Sequence, residues 1–284
     1  MIEWPDEIVD AIARRRCALV IGSGVSANSK GTADVRPPTW KQFLVEGSER
    51  KEKPAHIVDA LDQNDLLEAC DYLKTAMGNE WAGFVREKFS TPRYRPATIH
   101  EHILALDTRI VISLNFDKIY DNYANSTTEG TVIVKNYYDE DIREAVSGSG
   151  RYIIKPHGTV DSISKVIFTL DDYAKARVEH ASFYEVLNSL LHTHLLLFIG
   201  CGLADPDLQT LFEEYRYRYQ ETAHYITLPA PVPPEKVEIV KRTRGLNILQ
   251  YDPADGHSAL TESLEHLVTL VAERRDAIAK EFSW

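Results

Sequence analysis

Two apolar runs end in the side chains best suited to chemistry. Arg109-Ile-Val-Ile-Ser-Leu-Asn-Phe-Asp117 reads as a buried strand closing on Asn115 and Asp117, and Tyr152-Ile-Ile-Lys-Pro-His-Gly158 closes on His157. In an open α/β sheet ligands bind at the carboxyl ends of the strands, so these groups fall where a substrate would lie. Histidine, with an ordinary pKa of ~6.5, exchanges protons near neutrality. Between Pro156 and Gly158 its backbone is constrained and one flank is open. A helix cap for residues 118–123 would explain either Asn115 or Asp117, but not both.

Two glycine-rich turns accompany them. Cys17-Ala-Leu-Val-Ile feeds Gly22-Ser-Gly-Val-Ser-Ala27, a G-x-G-x-x-A pattern, and Leu195-Leu-Leu-Phe-Ile feeds Gly200-Cys-Gly202. Such turns bring backbone N–H groups against an anionic pyrophosphate, although glycines also end strands for structural reasons alone. A dinucleotide dehydrogenase would run from the glycines into a helix and reach an acidic residue about 20 positions on. Here residues 28–38 read instead as an irregular loop with a proline pair, before Thr39 caps a helix containing Trp40. A loop of that length is expected to be a lid or a binding element.

Other constellations fail on spacing. Ser23 and Ser26 do not complete G-x-S-x-G, and no G-x-x-x-x-G-K-[ST] occurs. His100-x-His102 and His192-x-His194 lack further ligands at useful spacing and read as packing or surface residues, so no metal is expected. Cys201 reads as a small residue admitted where backbone approaches a ligand. Asp171-Asp172 and Asp205-Pro206 read as helix starts.

Short β-branched strands near 18–21, 110–113, 132–134, 152–155, 195–199, 225–227 and 247–250 alternate with helical patterns, which predicts a mainly parallel sheet with helices on both faces. From Trp40 to Leu106 the periodicity is helical almost throughout, so a helical insertion follows the first strand within a single domain covering 1–284. Ser147-Gly-Ser-Gly150 reads as a tight loop, and residues 257–280 as an amphipathic helix that closes the domain or joins subunits.

The 284 residues, 44% of them apolar, suffice for a substantial core. The net charge of −11 is spread along the chain without a basic cluster, which argues against direct nucleic-acid binding. Three scattered cysteines form no disulfide framework or zinc motif and fit a reducing compartment. The acidic N-terminus, with a helix expected from Pro5, is no signal peptide, and no apolar run approaches the ~20 residues that span a bilayer. The expected location is the cytoplasm.

Four stretches taken together, Gly22-Ser-Gly-Val-Ser26, Leu114-Asn-Phe-Asp117, Lys155-Pro-His-Gly158 with Phe168-Thr-Leu-Asp-Asp-Tyr173, and Phe198 to Pro206, resemble the sirtuin superfamily. The resemblance is closer to its zinc-less bacterial branch of NAD hydrolases in anti-phage defence. It implies a Rossmann-like sirtuin fold with NAD as substrate across the sheet edge. Zinc-bearing deacylases carry paired C-x-x-C motifs, and the cysteines here are far apart, so deacylation is the less favoured activity.

By this resemblance Gly22, Ser23, Gly24 and Ser26 would hold the pyrophosphate, and Gly200, Cys201 and Gly202 would complete the dinucleotide site. Asn115 would orient the attacking water or the nicotinamide ribose, Asp117 would hold the carboxamide, and His157 would meet the ribose hydroxyls. The expected activity is release of nicotinamide and ADP-ribose, linear or cyclic, held back until triggered. The alternative is a module that binds NAD or ADP-ribose without cleaving it. The resemblance further implies a homo-oligomer with a separate trigger, either a HerA-like ATPase or a short Argonaute.

Overall fold

The computed structural model describes residues 1–202, 206–219 and 224–281. Its centre is a sheet of 7 strands, all parallel: β1 (Cys17–Ile21), β2 (Ile110–Ser113), β3 (Val132–Asn136), β4 (Arg151–Lys155), β5 (Leu195–Ile199), β6 (His224–Pro229) and β7 (Leu246–Tyr251), in the order β3-β4-β2-β1-β5-β6-β7. β1 is buried along its whole length, as a central parallel strand covered on both faces must be, which explains its unbroken apolar run.

Helices α1 (Asp6–Ala13), α2 (Ser23–Ser26), α3 (Trp40–Arg50), α4 (Ala55–Asp62), α5 (Leu66–Met77), α6 (Trp81–Phe89), α7 (Thr98–Ala105), α8 (Ile119–Thr127), α9 (Glu144–Ser147), α10 (Leu170–Glu179), α11 (Ala181–Thr193), α12 (Pro206–Tyr219), α13 (Pro234–Arg244) and α14 (Ala254–Glu281) follow in chain order. Alternate strand residues serve opposite layers. Leu19, Ile21, Val111 and Leu197 pack under α1, α7, α8 and α14. Ala18, Val20, Ile112 and Phe198 pack under α9 to α13. The mainly parallel sheet with helices on both faces expected from the alternation is the one found, and it agrees with the Rossmann-like α/β architecture that the resemblance implies.

Between β1 and β2 every regular element except one isolated bridge is helical. α3 to α6 build a third cluster on Phe43, Leu73, Trp81 and Phe84, closed by Val160, Val166 and Phe168 from the segment after β4. Lys74 on α5 donates to Asp172 at 2.8 Å, and Asp172 caps α10, so one carboxylate joins the helical block to the sheet layers. Thr39 and Gln42 form a reciprocal cap at the start of α3, as their types suggest.

Three boundaries differ from the sequence reading. One helical turn, α2, intervenes between Gly22 and the irregular loop; four residues are too few to carry a periodic signal. Asp65, by accepting from Glu68 N, delays the start of α5 to Leu66. Left-handed Asp255, Gly256 and His257 break the first turn of α14. The expected helix start at Asp205 lies outside the described residues.

Candidate functional site

The chain changes direction across the sheet at β1, where β2 lies on one side and β5 on the other, and both glycine turns emerge there. Gly22 N donates to Ile199 O at 3.1 Å and Gly24 N to Gly200 O at 2.9 Å, so strand pairing continues into the turns. Gly200 has φ +62°, and a Cβ there would lie 2.7 Å from Val25 N; one on Gly24 would lie 2.9 Å from Gly200 Cα. These glycines are therefore demanded by backbone packing against backbone.

A cavity of about 560 Å³ opens over this crevice, within the range of small-molecule sites. Gly22, Ser23, Ser26, Asn115, Asp117, His157, Cys201 and Gly202 all line it, whereas Gly24 and Gly200 lie behind the wall. Residues spread from 22 to 202 along the sequence thus meet because the parallel strands end on one edge.

The polar floor is tightly determined. Asn115 Nδ2 donates to Gly22 O and to Ser26 Oγ, each at 2.9 Å. A carbonyl oxygen accepts only, so the amide flip is fixed: nitrogen toward the β1 turn. Asn115 then has just its Oδ1 acceptor to offer a ligand. Ser26 Oγ donates to Asp117 Oδ2 at 2.8 Å, and Asp117 Oδ1 accepts from Ile119 N at 3.0 Å, capping α8. Asp117 is 7% exposed, and both its oxygens already accept from protein donors, so a carboxamide would have to share them.

His157 is 9% exposed, and its Nδ1 lies 2.8 Å from Leu114 O. Nδ1 must carry the proton of that bond, leaving Nε2 as the basic atom of the neutral ring. The Tyr173 hydroxyl lies 3.3 Å from Nε2 and also lines the cavity. Its stretch was marked in the sequence, but its closeness to the histidine was not.

The other wall was not foreseen. Pro37, Pro38 and Trp40 from the loop and α3, Phe89 from α6, Phe116 after β2 and Phe168 before α10 make it aromatic and apolar, and Gln63 to Leu67 close it at the α4–α5 turn. Trp40 stacks on Phe43 and Phe168, with centroids 5.5 and 6.0 Å apart. Only Pro37-Pro38, in a loop expected to bind or cover ligand, carried a sequence signal.

His100 caps the start of α7 through its Nδ1, and burial lowers its pKa. Among the described residues no group of three or more His, Cys, Asp or Glu is arranged to hold a metal, and no helix is long and apolar enough to cross a membrane.

Residues 109–249 match the SIR2-like domain family. The chain is 27% identical over 182 residues to Defense-associated sirtuin 2 of Bacillus subtilis, covering 58% of this chain and 18% of that one. It is 24% identical over 224 residues to NAD(+) hydrolase ThsA of Enterococcus faecium, covering 76% and 44% of the two chains. It is 22% identical over 227 residues to the Acinetobacter baumannii protein of the same name, covering 78% and 44%. The chain therefore spans less than half the length of each of these relatives. The matched stretch carries a SIR2-like domain, and it supplies the β2, β4 and β5 ends of the cavity.

Proposed function

We propose that this chain cleaves the bond between nicotinamide and ribose in NAD, giving nicotinamide and ADP-ribose, as a defence effector held in check until triggered. The observation that carries the reading is the fixed amide of Asn115, which keeps a lone acceptor for the cavity that His157, with its basic Nε2, also lines. The relatives named as NAD(+) hydrolases and as a defence-associated sirtuin point the same way.

In NAD the nicotinamide ring is already cationic, so it departs with the bonding electron pair as a neutral molecule and needs no acid. Positive charge passes to the ribose, whose C1′ becomes oxocarbenium-like. Asn115 Oδ1 accepts from the attacking water and points its oxygen at C1′; the water proton passes to His157 Nε2 as the new C–O bond forms. A positioned base of this kind contributes ~10²–10⁴-fold. Asp117 places a nearly buried negative charge beside the developing cation, where low polarity strengthens its effect. Gly22, Ser23 and Gly202 bring main chain to the wall for the pyrophosphate, and the aromatic wall takes the nicotinamide end and excludes bulk water.

Purified protein incubated with NAD, alone and with the product of the neighbouring gene, tests this by chromatography of nicotinamide and ADP-ribose. Release that is absent in His157→Ala is expected. NAD bound but intact in every setting would make the chain a nucleotide-binding module instead.

A further inference from the structure

Lys155 sits on β4, two residues before His157, and is 0% exposed. An ammonium group carried into a sheet core demands compensation. Its Nζ donates to Asp121 Oδ2 at 2.9 Å and to the carbonyl oxygen of Asp117 at 2.7 Å. Asp121, on α8, is itself buried; burial raises its carboxyl pKa, and the Lys155 ammonium opposes that rise.

The first bond accounts for charge neutrality, and an apolar pair of similar volume would serve the core as well. The second bond is something no apolar residue supplies. It anchors the peptide of Asp117, whose side chain receives the Ser26 hydroxyl, which in turn receives the Asn115 amide. A continuous path of hydrogen bonds thus runs from the centre of β4 to the floor of the cavity. We propose that Lys155, backed by Asp121, is a positioning residue that fixes the direction of the Asn115 amide through Asp117 and Ser26. The proposal rests on the NAD-cleaving reading for its catalytic consequence, but the positioning itself is measurable without turnover.

The test compares Lys155→Met, Asp121→Asn and the double variant Lys155→Met/Asp121→Asn. Turnover of NAD, thermal midpoint, and the side-chain amide signal of Asn115 in protein labelled with ¹⁵N-asparagine are followed, the signal being assigned by its loss in Asn115→Asp. Lys155→Met is expected to lower kcat about 10- to 100-fold with KM within about threefold, the scale of a misdirected reacting group. It is also expected to shift the Asn115 amide signal and to lower the midpoint by roughly 10 °C, because it leaves Asp121 unpaired.

The double variant removes both buried charges, so it should recover most of the midpoint while neither kcat nor the Asn115 signal returns. Recovery of kcat together with the midpoint would reduce Lys155 to a structural role and overturn the proposal. An Asn115 signal unmoved in Lys155→Met would overturn it equally. Asp121→Asn keeps an acceptor oxygen and serves where Lys155→Met does not fold; the same signal should move, and its constancy counts against the proposal. If the wild-type protein releases no nicotinamide in any setting, the NAD-cleaving reading fails by itself, and the Asn115 signal still decides the positioning.

Discussion

Ser26→Ala probes the site's internal logic. The hydroxyl accepts from Asn115 Nδ2 at 2.9 Å and donates to Asp117 Oδ2 at 2.8 Å, and the residue is buried. Deleting it removes a neutral hydrogen bond, worth about 1 kcal/mol, and one to a charged carboxylate, worth about 1.5–3 kcal/mol. Together they amount to about 3 kcal/mol, which in a domain of this size lowers the melting temperature by roughly 6–12 °C. Asn115 keeps its bond to Gly22 O and stays in the cavity, but with one anchor where it had two. Substrate binding should therefore survive while the water loses its fixed direction, so kcat should fall about 10- to 100-fold with little change in KM. Thermal melts and steady-state nicotinamide release measure both effects. A variant with wild-type kcat, or one whose whole loss lies in KM, would refute the view that Ser26 acts by holding Asn115.

Gly200→Ala places a Cβ 2.7 Å from Val25 N at a left-handed φ of +62°, so the two turns must separate; a melting temperature within about 2 °C of wild type would contradict the packing argument. Tyr173→Phe removes the hydroxyl 3.3 Å from His157 Nε2 but leaves the Leu114 bond that orients the ring, so kcat should fall less than about tenfold, against near-complete loss in His157→Ala. His224, buried with its Nδ1 accepting from Leu196 N, has its pKa pushed down to about 4 by desolvation and stays neutral in the fold. The unfolded chain binds that proton near pH 6.5, so the stabilising contribution is complete above that pH and is lost as pH falls toward 4, by about 3 kcal/mol. Urea unfolding of His224→Gln should show a correspondingly shallower loss between pH 7 and pH 4, and an unchanged slope would contradict this.

Much of the architecture is legible because parallel strands announce themselves: Cys17 to Ile21 must be apolar on both faces, and β1 and β5 each end where a glycine begins the turn. The same feature marks Asn115, Asp117 and His157, since a polar side chain directly after a buried run has the ligand-binding edge as its place. What stays hidden is whatever depends on contact between distant segments. Trp40 and Phe89 look like ordinary amphipathic helix positions, and only the docking of the helical block turns them into cavity wall. Gly24 and Gly200 suggest a ligand's close approach, whereas the approach is that of each turn to the other. Lys155 reads as one residue in a strand; its partners lie 34 and 38 positions away, beyond any local pattern.

The central claim is that Asn115 directs the cleavage of NAD without being needed to bind it. Nicotinamide release by Asn115→Ala, measured beside its affinity for ADP-ribose under conditions where the wild-type protein turns over, tests this directly. Release at least about 100-fold slower, with ADP-ribose affinity within about threefold of wild type, is the expected result. Release at the wild-type rate would contradict it.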